Sequence, residues 1–548
     1  MKQITTIALL CILLLASCTS HPSVPDNYTS SDKKPVIYPD YTDVVVPPNI
    51  APLNFAVKGA DEAVARFTYG STSINYGEKA NIIIDEDEWH ELLAEAKGND
   101  IKVEVFAQKD GQWTAYKPFN ITIAEEEIDR YISYRLIFPS YVAYEVLSIN
   151  QRDLTSFEET DIYNNMLVST EDNGQCINCH SYQNYSTSNM QFHMRQGNGG
   201  TMIVRDNKAE KINMKNDSTL SAGVYPAWHP TLPLIAYSTN HTGQSFHTRD
   251  KAKIEVQDTE SDLILYDTDK HEITTISGLA DEMESFPAWA PSGDKLYFGS
   301  AHFVYLDTAA HETEMIHRFD EVQYNIYCKK FDKNTHTFGE TELVYDAAAN
   351  GQSATFPRIS PDGKYLLVGI GPFGCFHVWH PDADLYMMDL KTKHMRKLEN
   401  VNSNRAESYH SWSSNSRWIM FISRRDDNNY SRLFFAYIDK NGKAHKAFEL
   451  PQRDPNFYTY FMRSYNVPEF MTEPVSLTPQ DFAAVAKAEA VNTTYKPNGH
   501  GMGLQPKLEV PMYANGDSAT LVTGEVMAHP GTIITSKPST TEQKQSVN

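Results

Sequence analysis

Cysteine is scarce in this chain: six among 548 residues. Cys11 and Cys18 fall in the first twenty positions, which leaves Cys176, Cys179, Cys328 and Cys375 for any folded part. Four cysteines cannot make a dense disulfide scaffold. No second C-x-x-C and no H-x-x-x-H exists, so paired local motifs cannot complete a four-ligand zinc site. The G-x-S-x-G signature is absent, and no α/β stretch is left to carry it, which argues against a serine hydrolase. Positive charge is also short. Lys plus Arg number 48 against 70 Asp plus Glu, for a net charge of -22. Nucleic acid is bound by cations that neutralise phosphate, so nucleic acid is excluded as a partner. After residue 20 no run reaches the ~18 apolar residues that a membrane-spanning helix needs.

The N-terminus supplies an address. Met1-Lys2-Gln3 is a short positive start, and Ile7 to Leu15 is an apolar run too short to stay in a bilayer. Leu15-Ala16-Ser17-Cys18 then resembles a bacterial lipobox. The resemblance implies a signal peptide over 1–18, with Cys18 as lipid acceptor and new N-terminus. Lipid at Cys18 would be the membrane anchor of an exported protein of the cell envelope, at the outer membrane or on the periplasmic face. Residues 19–38 are polar and read as a tether.

Cys176-Ile177-Asn178-Cys179-His180 is the most informative pentapeptide. C-x-x-C-H is the attachment pattern of a c-type haem. The two thiols add across the vinyl groups, and the adjacent imidazole becomes the proximal iron ligand. This reading expects one covalent haem c on Cys176 and Cys179, with His180 on the iron. His193 is the first candidate for the distal metal ligand and Met190 the next. A C-x-x-C disulfide and half of a zinc site are the competing readings. Cys328 and Cys375, in apolar strand-like contexts, are expected to be buried small hydrophobes.

Aromatics are plentiful (31 Tyr, 25 Phe), and 27 Gly with 28 Pro punctuate the chain, a balance that favours strands joined by turns. One phrase recurs after residue 220. It begins Pro226-Ala227-Trp228-His229-Pro230, Pro287-Ala288-Trp289-Ala290-Pro291, Pro357-Arg358-Ile359-Ser360-Pro361 and His410-Ser411-Trp412-Ser413. Each copy runs into an apolar strand, and a second strand phrase follows, as in Asp262–Asp267 and Asp384–Asp389. Four short strands at a period of about 50–70 residues are the mark of propeller blades. The phrases resemble the TolB-type repeat, most closely at Ser360-Pro361-Asp362-Gly363-Lys364. The fold expected is all-β: a small immunoglobulin-like β-sandwich over 39–125, a connecting segment over 126–172, and a five- to six-bladed TolB-like β-propeller over 173–480. The haem motif would lie in the first blade. Residues 455–475 could supply a closing strand, and 481–548 form an extension whose end has little to bury.

Taken together, the lipobox, the small β-domain, C-I-N-C-H and the TolB-like repeats resemble a group of envelope lipoproteins of Bacteroidetes. That resemblance implies location and fold. The function expected is a lipid-anchored c-type haem protein for electron transfer or redox sensing, docking an envelope or redox partner. The alternative is a non-enzymatic propeller scaffold that binds envelope proteins, peptides or glycans, with the C-x-x-C as a structural disulfide.

Overall fold

The computed structural model describes residues 21–139, 146–170, 172–246, 252–276, 282–306 and 311–497, and two short strands at Glu525–His529 and Thr532–Thr535. Cys18 and the signal segment lie outside the described residues, as does most of the chain beyond 497. Two compact units are present. One joins Met1–Glu125 to Pro451–Tyr460, and the other joins Glu126–Leu450 to Phe461–Asn548.

The first unit is built on a seven-stranded sheet and a three-stranded sheet. Glu62–Tyr69 and Asp100–Lys109 pair antiparallel at the heart of the larger one. Along the second of these strands Ile101, Val103 and Val105 are buried, the period-2 pattern of a half-buried strand. Thr29–Ser30 and Ile37–Tyr38, within the stretch expected to be a tether, pair into these sheets. The helix Glu86–Glu95 starts where Asp85 accepts from the backbone N–H of Asp87 and Glu88. It buries Trp89, Leu92 and Leu93 on one face, and Trp89 donates to the Ile50 carbonyl at 3.0 Å.

The second unit consists mostly of six antiparallel sheets in a propeller-like succession. We label their lead strands β1 (Gln175–Gln183), β2 (Val224–Trp228), β3 (Glu282–Trp289), β4 (Ser353–Ile359), β5 (Glu407–Trp412) and β6 (Ser464–Met471). Strands β1 to β5 each head a meander of strands that follow in sequence. Strand β6 instead pairs with Tyr131–Ile137, which leads to Ser148–Asp153 and Glu159–Asn164. Segment 126–172, expected to be a connection, is therefore three strands of a sheet completed by residues far along the chain. Each lead strand packs against the next, and β6 packs against both β5 and β1.

The repeats make these hairpins for local reasons. In the second and third copies the turn glycines Gly293 and Gly363 take φ of 70° and 71°, conformations that a side chain disfavours. Their N–H groups donate to Ala290 and Ser360 at 2.8 Å. The fourth copy departs from the pattern, and Ser416 adopts φ 61° in its place. Apolar clusters fill the spaces between neighbouring sheets. That between the sheets of β6 and β1 holds Ile149, Ile162, Met190, Phe192, Met194 and Met202. After β6, the helix Pro479–Lys487 adds Phe482 to the same cluster, and Val491–Asn492 and Thr494–Tyr495 extend the sheets of β1 and β2 at their outer edges.

Candidate functional site

Each lead strand breaks its pairing register at the same structural place, and β1 breaks it a second time between Tyr182 and Gln183. The residue there has a positive φ in all six: Cys179 (56°), Tyr225 (48°), Phe286 (55°), Phe356 (52°), Tyr409 (45°) and Val467 (46°). The next residue is His180, Pro226, Pro287, Pro357, His410 or Pro468. A proline has no N–H to leave unpaired where the ladder is interrupted. Non-glycine residues held at positive φ cost of order 1–3 kcal/mol each, so the surrounding packing must impose them. It does. The rings of Tyr225 and Phe286 are 4.4 Å apart, Phe286 and Phe356 4.2 Å, and Phe356 and Tyr409 4.8 Å. A cavity of about 50 Å³ touches residues of all six lead strands at this level, so the centre is nearly filled.

Larger spaces lie before and after that plug along the strands. On the N-terminal side is a cavity of about 190 Å³, reached by Asn178 and Cys179 of β1, Val224 and Tyr225 of β2, and Ser464 and Asn466 of β6. On the C-terminal side a cavity of about 340 Å³ is lined by Trp228, Trp289 and Trp412 with Pro226, Pro230 and Pro361. These tryptophans are the repeat anchors seen in the sequence.

The N-terminal cup is basic. Arg135, Arg195, Arg424 and His193 line it, and no Asp or Glu is among its described lining residues. Arg135 is 6% exposed; its Nη1 donates to the Ile177 carbonyl at 3.0 Å, and its Nε has no partner. Arg424 stacks on Trp379 at 3.3 Å and donates from Nε to Val378 O at 2.7 Å. Burial pulls its guanidinium down to about 9, so it stays charged at neutral pH. Burial, helped by the Arg195 charge, pushes the His193 imidazole down to about 3, and its Nδ1 lies 3.2 Å from Thr201 Oγ1. That imidazole is neutral.

At the other end the charge is paired. Arg358 Nη2 donates to Glu469 Oε1 at 2.6 Å. Burial raises the Glu469 carboxyl, and Arg358 opposes that rise.

The expected haem site does not assemble. Cys176 packs into the apolar cluster between the sheets of β6 and β1, where Arg195 Nη2 lies 3.5 Å from its Sγ. Cys179 turns to the centre and borders the basic cup and the small cavity. His180 is 1% exposed, borders the small cavity and not the cup, and is pushed down to about 3 by burial, with the Arg135 charge adding to it. Cys176 lines neither the cup nor the small cavity, so neither brings both thiols and the imidazole together, and about 50 Å³ beside His180 leaves no room for a flat tetrapyrrole. The distal candidates are divided as well: His193 faces the cup, whereas Met190 is fully buried in the apolar cluster. Among the described residues no group of three or more His, Cys, Asp or Glu side chains is placed to hold a metal ion. The electron-carrier and redox-sensing reading is therefore corrected. C-x-x-C-H reads as a haem motif by spacing, but its second Cys and its His occupy the repeat position of Tyr225-Pro226 and Phe286-Pro287. The four described cysteines are free and buried, as expected for Cys328 and Cys375, and no Cys176–Cys179 disulfide is formed.

Sequence reading missed Arg135 and Arg424, which belong to no motif. The aligned aromatic-Pro dipeptides were the available signal for the plug.

No protein-family model matches the chain, and no curated protein matches it. Among solved structures, an oligogalacturonate lyase in complex with manganese aligns at TM-score 0.33 and 12% identity, over 58% of this chain and 73% of that one. An ACO/RPE65 chimera aligns at TM-score 0.33 and 12% identity, over 78% of this chain and 98% of its own. Prolyl oligopeptidase B from Galerina marginata aligns at TM-score 0.34 and 8% identity, over 58% and 44%. Likenesses this distant assign no chemistry to this chain.

Proposed function

We propose that this protein is a binding module rather than a conduit: a closed, six-bladed, TolB-like propeller that holds a ligand in the cup at the N-terminal ends of its lead strands. The single observation that carries this reading is the plug. Six side chains in strained conformations meet at one level, so a molecule entering the cup stops there. Backbone strain of that kind persists where a site needs rigid walls. The ring is closed on this reading by β6, which pairs with Tyr131–Ile137 and so covers an edge that would otherwise be open. The first unit is read as the immunoglobulin-like sandwich that precedes it. Lipid on Cys18 would anchor the exported chain in the envelope, where the ligand would be a small molecule or the end of a peptide or glycan.

Hydrogen exchange on protein purified gently from its own membranes, before and after removal of co-purified small molecules, tests this. Removal is expected to raise exchange around 175–179, 221–225 and 464–466. Changes confined to outer strands or to the first unit would overturn the reading.

A further inference from the structure

Resting on that reading of the cup, we propose that its ligand is a small organic anion, gripped through a carboxylate by Arg135 with Arg424 and Arg195 beside it. The chain carries 70 acidic residues, yet none of the cup's described lining residues is acidic. That is the reverse of what chance placement gives. Arg135 is the centre of the argument. It is nine-tenths buried, it has no ion pair among the described residues, and its one hydrogen bond goes to a backbone carbonyl. A buried charge is retained when something compensates it, and removing a cation from water without a counter-charge is strongly unfavourable. The same protein supplies a counter-ion elsewhere, Glu469 for Arg358 and Glu407 for Arg425. At Arg135 the missing partner is left to the ligand.

The rest of the lining says what is attached to the anion. A guanidinium offers a planar fork that a carboxylate matches with two parallel hydrogen bonds. Asn240 and Thr242 spend their donors on Asp258 behind the lining, each at 2.6 Å, so Gln244 is the amide that faces the ligand, and Ile137, Val256 and Val378 present an apolar wall. A ligand with one acidic group on a compact body of mixed polarity fits. A polymeric polyanion does not, because a cavity of about 190 Å³ has no room for a long chain.

Calorimetric titration at constant ionic strength tests the proposal with matched pairs: glucuronate against glucose and benzoate against benzamide, with inorganic phosphate as a third arm. At least one carboxylate is expected to bind ten-fold or more tightly than its neutral partner. Arg135→Gln should remove most of that preference, Arg135→Lys should retain part of it, and Lys364→Gln, far from the cup, should leave it unchanged. Unfolding curves establish that each variant is folded. Phosphate binding more tightly than both carboxylates, neutral partners binding equally, no carboxylate binding at all, or an Arg135→Gln variant that binds as the parent does would each overturn the anion proposal. Cup protection by a co-purified neutral molecule would overturn it too while leaving the binding-module reading intact.

Discussion

The two ends of the lead strands are made by the same repeat and treat charge in opposite ways. At the C-terminal end three tryptophans and a run of prolines surround Arg358, whose charge is met by Glu469 at 2.6 Å. At the N-terminal end Arg135 is more deeply buried and meets no carboxylate among the described residues. The difference teaches that repeat identity fixes the strands and the plug, while the residues between repeat anchors decide what each end can hold. One end is a self-satisfied piece of structure. The other is an electrostatic half-site.

The largest effect expected is general to the sheets and sets the window in which the two ends can be compared. Burial pushes His180, His193, His377 and His410 each down to about 3. Their folded values lie below the unfolded value near 6.5, so the unfolded chain takes up more protons as pH drops. Stability is full above about 6.5 and falls between 6.5 and 3, by about 1.4 kcal/mol per pH unit for each histidine. Urea melts from pH 7 to 5 read this, and a flat profile would show that the imidazoles are not buried as described. Asp258 and Asp262, raised to about 6 chiefly by burial, act in the opposite sense. They lose stability as pH rises from about 4 to 6, and so soften the fall.

Next comes the wall between the ends. Phe356→Ala removes a ring packed on both Phe286 and Tyr409, and a loss of about 3–4 kcal/mol is expected in denaturant melts. A loss under about 1 kcal/mol would mean that the plug is not close-packed. The comparison itself is sharpened by two charge removals in ligand-free protein. Arg358→Gln strands the buried Glu469 and should cost about 1–3 kcal/mol, reduced because Arg358 is partly exposed. Arg135→Met removes a charge with no partner and should be neutral or stabilising, within about 1 kcal/mol. The reverse order of these two would break the contrast between the ends. Smallest of all, Lys364→Gln on the exposed Asp362 pair should shift stability by less than about 0.5 kcal/mol.

Much of the fold was legible because repeats announce themselves locally. Trp228, Trp289, Ile359 and Trp412 each mark the C-terminal end of a lead strand, and the turns after Trp289 and Ile359 place glycine where φ must be positive. Cys176 to Arg195 was legible as the inner hairpin of a further sheet, and 455–475 as a segment that holds a strand. Tyr131–Ile137 was not legible as a strand of the same set, since its partner β6 lies more than three hundred residues away and pairing at that distance leaves no local signature. The site was less legible still. Spacing alone made Cys176, Cys179 and His180 look like one ligand set. A register break at Cys179 sends the two thiols to different places, and only the alignment of Cys179-His180 with Tyr225-Pro226 hints at it. Arg135 and Arg424 converge from opposite ends of the second unit, so no window of sequence contains both.

The most direct test is a crystal of the full folded chain soaked in para-bromobenzoate and measured at the bromine edge. The account predicts an anomalous peak inside the cup, with the carboxylate on Arg135 and the ring toward Val256 and Val378. A peak at the tryptophan-lined end instead, or no ordered bromine in the cup at saturating ligand, would contradict it.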